Sequence, residues 1–222
     1  MINKNKKQLI ISSIIILIPI IVGLMMWDRL PDTIATHWGL NGQVDGWSSK
    51  TFVIFGQPII MLALHWLCVV ITDKDPKNKD QNDKVFKMVL WILPIISLLI
   101  SSMEYAVALG MHFSIDIIVR VLFGLMFLII GNYMPKCKQN HTIGVKVIWT
   151  LRNEENWNRT HRFTGRVWVI GGVFLLATLF ISMESFWYIF VPIIMLLCFA
   201  PIIYSYVYYK KQLKSATTTK RV

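Results

Sequence analysis

Glu104, Asp116 and Arg120 sit in stretches otherwise apolar enough for a lipid bilayer, and their charges need a reason. An ionised group at the centre of a membrane helix costs roughly 2.5–3.5 kcal/mol on insertion scales, so such groups turn toward the bundle interior and take partners. Asp116 and Arg120 are spaced i, i+4, on one helix face. Glu104 and Arg120 lie on either side of a short polar link near Met111, both about 10 Å below the same surface at ~1.5 Å per residue. This intramembrane polar network reads either as a neutralised lock between two helices or as a proton or ligand pathway. His37, His112 and Glu104 fall toward the same face and are zinc-ligand types. They lack paired ligand spacing, so no metal or cofactor is assigned. His65, beside Trp66, reads as a hydrogen-bonded packing residue. No Gly-x-Ser-x-Gly, Walker or dinucleotide fingerprint occurs, and no catalytic residue is assigned.

The second constellation is the polar stretch from Gly131 to Gly172, GNYMPKCKQNHTIGVKVIWTLRNEENWNRTHRFTGRVWVIGG, held between two apolar runs. Asn132, Asn140, Trp157, Thr160, His161 and Arg162 are its candidate partner-binding residues. Within it, Thr150 to Arg166 reads as a short helix with Thr150 as its cap, acidic Glu154 and Glu155 early and Arg159, Arg162 and Arg166 late, an order that suits the helix dipole. Glu155 and Arg159 form one i, i+4 pair, and Trp157 and His161 another. One reading is an interfacial helix whose arginines meet anionic lipid, at about 1 kcal/mol per basic residue. The other is a docking surface for a cytoplasmic protein.

The elements that must position these groups are membrane helices. The chain is 55% hydrophobic with a mean hydropathy of +0.54, too apolar for a soluble domain of 222 residues. Apolar runs predict six transmembrane helices, at about 9–26, 51–72, 85–109, 113–134, 167–183 and 186–209, an all-α polytopic bundle. The first run is long for a signal peptide and lacks a small-x-small cleavage site, so it is expected to remain as a helix. Lys and Arg number three in 1–8, five in 73–87, seven in 134–166 and five in 209–222, which is 20 of 23. The positive-inside rule therefore predicts a multi-pass membrane protein with both termini cytoplasmic. The net charge of +11 thus reports topology, and direct nucleic-acid binding is not expected.

The same topology makes 134–166 a cytoplasmic polar loop and 27–50 an extracellular one. The latter, with its Asn41-Gly42 and Asp45-Gly46 turn formers, is expected to be compact and irregular. Residues 73–84, of mixed charge without apolar periodicity, are expected to form a flexible inside loop, and Glu184-Ser185 a tight outside turn. Cys68, Cys137 and Cys198 show no spacing for a disulfide framework or a zinc knuckle. The expected organisation is an N-terminal membrane region over 1–112 and a C-terminal region over 113–222.

GNYMPKCKQNHTIG followed by WTLRNEENWNRTHRFTGRVWVIGG resembles the C-terminal signature of SdpI-type membrane proteins of Gram-positive bacteria. Pro31, His37, Gly42, Asp45 and Lys50 resemble the extracellular motif of the domain that usually precedes it. What the resemblance implies is a location in the bacterial cell membrane and immunity to a secreted toxic peptide. It also implies a signal relay that captures a small cytoplasmic DNA-binding repressor at the membrane. The expected outward site is then Pro31, His37, Gly42 and Asp45. The alternatives are a membrane-embedded enzyme, metal-dependent or hydrolytic, and a peptide exporter.

Overall fold

The computed structural model describes residues 1–112 and 114–219, less the side chains of Asp80, Met183, Glu184, Ala216, Thr218 and Thr219. Phe113, the expected first residue of the fourth helix, and Lys220 and Arg221 of the basic tail lie outside the described residues. Among the described residues, six helices are long and apolar enough to cross a membrane: Asn3–Met25, Phe52–Lys74, Asp83–Ala108, Ile115–Lys136, Glu154–Phe180 and Ser185–Ser215. The chain divides into two compact units, Met1–Lys74 with Phe86–Asp116, and Asp75–Val85 with Ile117–Val222.

In the first unit, α1 (Lys6–Met25) leads into an antiparallel hairpin of β1 (Thr33–Trp38) and β2 (Val44–Ser49). The expected irregular loop is thus a hairpin. Asn41-Gly42 serves as its turn, with Gly42 at φ 74°, and the β-branched Thr33, Ile34 and Thr36 suit the strand that precedes it. Lys50 fastens the hairpin base, donating to the carbonyls of Trp27 (3.2 Å) and Leu30 (3.1 Å), with Asp32 at 3.4 Å and its ammonium over the Trp27 ring. A π-turn at Phe52–Gly56 precedes α2 (Gln57–Lys74), and α3 (Asp83–Ala108) completes the unit.

Below the hairpin, Leu30, Ile34, Val53, Ile54 and Tyr105 form a buried cluster. Gly23 is needed there, because a Cβ would sit 2.7 Å from Ile54 and 2.8 Å from Tyr105 Oη. At the opposite end Leu9, Val69, Phe86 and Leu90 pack together, and Ile2 N–H donates to Asp73 at 2.9 Å. His65 is fully buried and meets Ser12 Oγ at 3.0 Å, as a packing histidine would.

In the second unit, α4 (Ile115–Tyr133) and α6 (Glu154–Ala177) run antiparallel along a seam of glycines. Gly124 faces Gly172 and Gly131 faces Gly165, seven residues apart on each helix. Small residues let membrane helices approach backbone to backbone, where burying apolar side chains gains little over lipid. A short α5 (Ile148–Arg152) precedes α6, and α7 (Met183–Thr219) packs along it. Phe127, Leu175 and Leu197 form the buried apolar cluster here, with Trp168 edge-on to Phe127.

Three local expectations change. The short helix expected to end before the fifth span instead continues through it as α6, since no proline lies between Arg162 and Val169 and the hydroxyls of Thr160 and Thr164 bond along the helix. Its cap is Asn153, which accepts from Asn156 N–H at 2.7 Å, while Thr150 belongs to α5. The turn between the fifth and sixth spans falls at Thr178–Ser182 rather than Glu184-Ser185, because Ser182 accepts from the amides of Ser185 and Phe186 and starts α7 early.

Candidate functional site

The loop between α4 and α6 is built around the side chain of Asn140. Asn140 is fully buried and acts as a surrogate for backbone pairing that a loop lacks. Its Oδ1 accepts from the amides of Thr142 (2.8 Å) and Ile143 (2.6 Å). Its Nδ2 donates to the carbonyls of Lys138 (2.8 Å) and Ile143 (2.9 Å) and toward Cys137 Sγ at 3.4 Å. The chain then turns through Gly144 at φ 116°, directly against the ring of His161. His161 is 1% exposed. Its Nδ1 donates to Trp157 O at 2.8 Å and its Nε2 accepts from Val145 N–H at 3.1 Å, the neutral tautomer that satisfies both nitrogens. The ring stacks on Trp157, with centroids 4.0 Å apart, and Trp157 donates back to Cys137 O at 2.8 Å.

Residues 73–84, expected to be flexible, are ordered against this loop from Asp75 onward. Asp75 caps a 3-10 turn, Pro76–Asp80, with Pro76 at its first position. The same carboxylate accepts from His141 N–H at 2.7 Å. Asn78 donates to Thr142 Oγ1 at 2.7 Å, and Gln81 exchanges bonds with the backbone of Lys138. Asp75, Asn78 and Gln81, three residues apart, present one polar face, and their spacing was the signal available in the sequence. On the other side Gln139 donates to the carbonyls of Thr150 and Leu151, and Trp149 Nε1 and Asn156 Nδ2 both donate to Ser205 of α7.

Of the six residues expected here, Asn140, Trp157, Thr160 and His161 are buried, so they shape the loop from within. Asn132 and Arg162 are exposed. Glu155 and Arg159 pair as expected, at 3.0 Å, and Tyr208 of α7 also donates to Glu155. Cys137 lies in the interior of the loop, and burial pushes its thiol up to about 11 despite hydrogen bonds from Asn140 and Gln81 that act the other way. The thiolate is the nucleophile, so Cys137 is expected to resist N-ethylmaleimide at pH 7.5 in the folded protein and to react once the protein is denatured in detergent. Peptide mass spectrometry checks this.

In the hairpin, His37 and Asp45 are both exposed and paired through Nδ1 and Oδ1, Pro31 is exposed at the entry, and Gly42 makes the turn. Trp47 is 61% exposed beside them. Within the helices, Glu104 accepts from Gln57 Nε2 at 2.9 Å in the first unit. Arg120, in the second, donates to the carbonyls of Thr178 (2.6 Å) and Ile181 (2.9 Å) and stacks on Phe186. Asp116 opens α4. Among the described residues, no group of three or more His, Cys, Asp or Glu is placed to hold a metal ion.

The hairpin and the later part of the first helix fall in a stretch, residues 14–62, that matches a domain of unknown function. Residues 136–205, which contain the Asn140 loop, α6 and most of α7, match the model of the SdpI/YfhL protein family. The chain is 31% identical over 211 residues to the immunity protein SdpI of Bacillus subtilis strain 168, covering 92% of this chain and 97% of that one. No solved structure matches. With both halves matched in one relative of nearly equal length, the chain belongs to the SdpI family of membrane proteins.

Proposed function

We propose that this multi-pass cell membrane protein is an immunity protein that protects its host from a secreted toxic peptide. The observation that carries the reading is the continuous similarity to a named immunity protein, which covers the hairpin and the Asn140 loop alike. Membership in such a family speaks for protection rather than catalysis. Cells expressing the chain and cells carrying an empty vector are to be exposed to culture supernatants of peptide-secreting strains. Survival is expected to rise at least tenfold with at least one of them, and equal survival across the panel would overturn immunity.

The finer reading has two faces. Both termini and the Asn140 loop are cytoplasmic, and the hairpin faces outward, where His37, Asp45 and Trp47 meet the peptide. Trp47 supplies an exposed aromatic and the His37–Asp45 pair a polar contact. On the inner face, Arg162 with the exposed Lys138 and Arg152 offers a basic surface to anionic lipid or to an acidic patch on a small repressor. The order in the Asn140 loop supports such a surface, because a docking face needs a fixed backbone. Cysteines placed singly at Trp47 and Lys146 test the arrangement. A membrane-impermeant maleimide is expected to label the first in whole cells and the second only after lysis.

A further inference from the structure

The spans of the second unit fix the depth of the loop beside them. A bilayer is crossed by about 20 helical residues. Counted back from Phe180 that length reaches His161, and counted on from Ser185 it reaches Tyr204. The two ends are level, since Phe163 stacks on Tyr204 with ring centroids 4.3 Å apart and planes 6° off parallel. α4 agrees: its span ends at Lys136, and the ring of Pro135 stands against Gly165. α5 meets α7 at this same boundary. Trp149 Nε1 donates to Ser205 Oγ at 2.6 Å, and the indole packs on the rings of Tyr206 (centroids 5.3 Å apart) and Tyr209 (6.1 Å). From the other side Gln139 holds the carbonyls of Thr150 and Leu151, at 2.8 and 3.1 Å. The short helix is thus pinned at the depth of Ser205. Between Cys137 and Asn153, Ile148 is the only exposed large apolar side chain among the described residues, at 64%. A lone exposed isoleucine on a water-facing loop needs no explanation. One pinned beside the end of a membrane span has a solvent of its own to meet.

We propose that α5 anchors the Asn140 loop in the lipid leaflet beside it. Ile148 enters the acyl chains, and Trp149 lies at the level of the glycerol esters, where an indole has one apolar face and one polar edge to satisfy. Arg152, exposed and four residues from Ile148 on the same helix face, reaches lipid phosphate. Depth selects lipid over a protein partner, because a soluble protein would have to enter the bilayer to cover Ile148. Continuity selects it too. Phe199, Ile203 and Tyr206, exposed at i, i+4 and i+7, form a lipid-facing stripe along α7, and Trp149 closes the end of that stripe against Tyr206. Lys210, whose ammonium lies 5.5 Å from the centre of the Tyr206 ring, marks the phosphate level one turn further on. The loop is thereby held against the membrane surface instead of standing off into water. This follows from the depth of the spans and not from the immunity reading, so the toxin assay does not bear on it.

The full-length protein in nanodiscs of phosphatidylethanolamine and phosphatidylglycerol, with a nitroxide label on Ile148→Cys, provides the test. Cys68 and Cys198, both exposed, are first replaced by serine, while Cys137 is buried. Collisions of the label with oxygen, which concentrates among acyl chains, are compared with collisions with a polar nickel chelate, which stays in water. The oxygen-to-nickel ratio at Ile148 is expected to be at least fivefold that at Lys146→Cys, an exposed position on the same loop, and close to that at Ile203→Cys on the lipid stripe of α7. A label on Arg152→Cys should fall between Lys146 and Ile148. Each substitution replaces an exposed side chain, so the melting temperature is expected to stay at the wild-type value. Equal ratios at Ile148 and Lys146 would overturn the proposal by placing α5 in water. Exclusion of both quenchers at Ile148 would overturn it as well, since a second copy or another protein would then cover α5.

Discussion

Gly165→Leu is expected to leave little folded protein in membrane extracts, with loss of the monodisperse peak on size exclusion and a melting temperature at least 10 °C below wild type. A Cβ at this position would stand 2.7 Å from the carbonyl oxygen of Gly131 and 2.8 Å from the ring of Pro135. The first of these is backbone, which cannot rotate away as a long side chain can, so α4 and α6 must part. Overpacking costs about 1–3 kcal/mol when side chains can adjust, and a backbone clash belongs at or above the upper end of that range. Stability of only 5–15 kcal/mol makes such a loss large. Separation of the two helices would also disturb the edge-on Trp168–Phe127 contact and the bond from Trp168 Nε1 to Leu197 O at 2.8 Å. Gly172→Leu, opposed by Gly124 O at 2.7 Å, should behave alike. Ile170→Leu, on the 56% exposed face of the same helix, is the control. Equal melting temperatures for Gly165→Leu and Ile170→Leu would remove the glycine seam as a determinant of the fold.

That seam shows where reading the chain alone falls short. Hydropathy finds all six spans, because the bilayer demands about 20 apolar residues regardless of what each helix touches, but it misses the polar first turns of the fifth, which starts at Glu154 rather than near 167. The same averaging is blind to pairing. Gly124, Gly131, Gly165 and Gly172 carry a seven-residue spacing on both helices, visible only once those helices are set side by side. Residues 75–81 look solvated because Lys77, Lys79 and their neighbours dominate the composition. Asp75, Asn78 and Gln81 matter more, and their partners lie 56 to 66 residues away. Asn140, Trp157 and His161 stand out by type but not by burial, since a polar loop gives no apolar period from which burial could be read. Arg120 follows the same pattern: its carbonyl acceptors, 58 and 61 residues on, belong to a turn that hydropathy reads as the end of the fifth span.

Asn140→Ala and Gly144→Ala should separate assembly in the membrane from protection. The six spans are held by contacts outside the loop, so both variants are expected to insert at normal levels. In Asn140→Ala the amides of Thr142 and Ile143 lose their acceptor, at about 1–3 kcal/mol for each group left unmet, and the carbonyl of Ile143 loses a donor. Gly144→Ala acts from the other side: φ 116° is closed to an L side chain, and its Cβ would fall on His161 Nε2, displacing the ring that receives Val145 N–H. Either change opens the pocket around Cys137. Its reaction with N-ethylmaleimide at pH 7.5 is therefore expected to speed up at least tenfold, while survival in the toxin assay falls to the empty-vector level. Arg162→Ala, at an exposed position, should leave Cys137 shielded and alter only what the loop's surface does. If Asn140→Ala exposes Cys137 and protection persists, the ordered loop is not what immunity uses, and the hairpin and helices must suffice. Persistence of both shielding and protection would show instead that the loop keeps its shape without the Asn140 bonds.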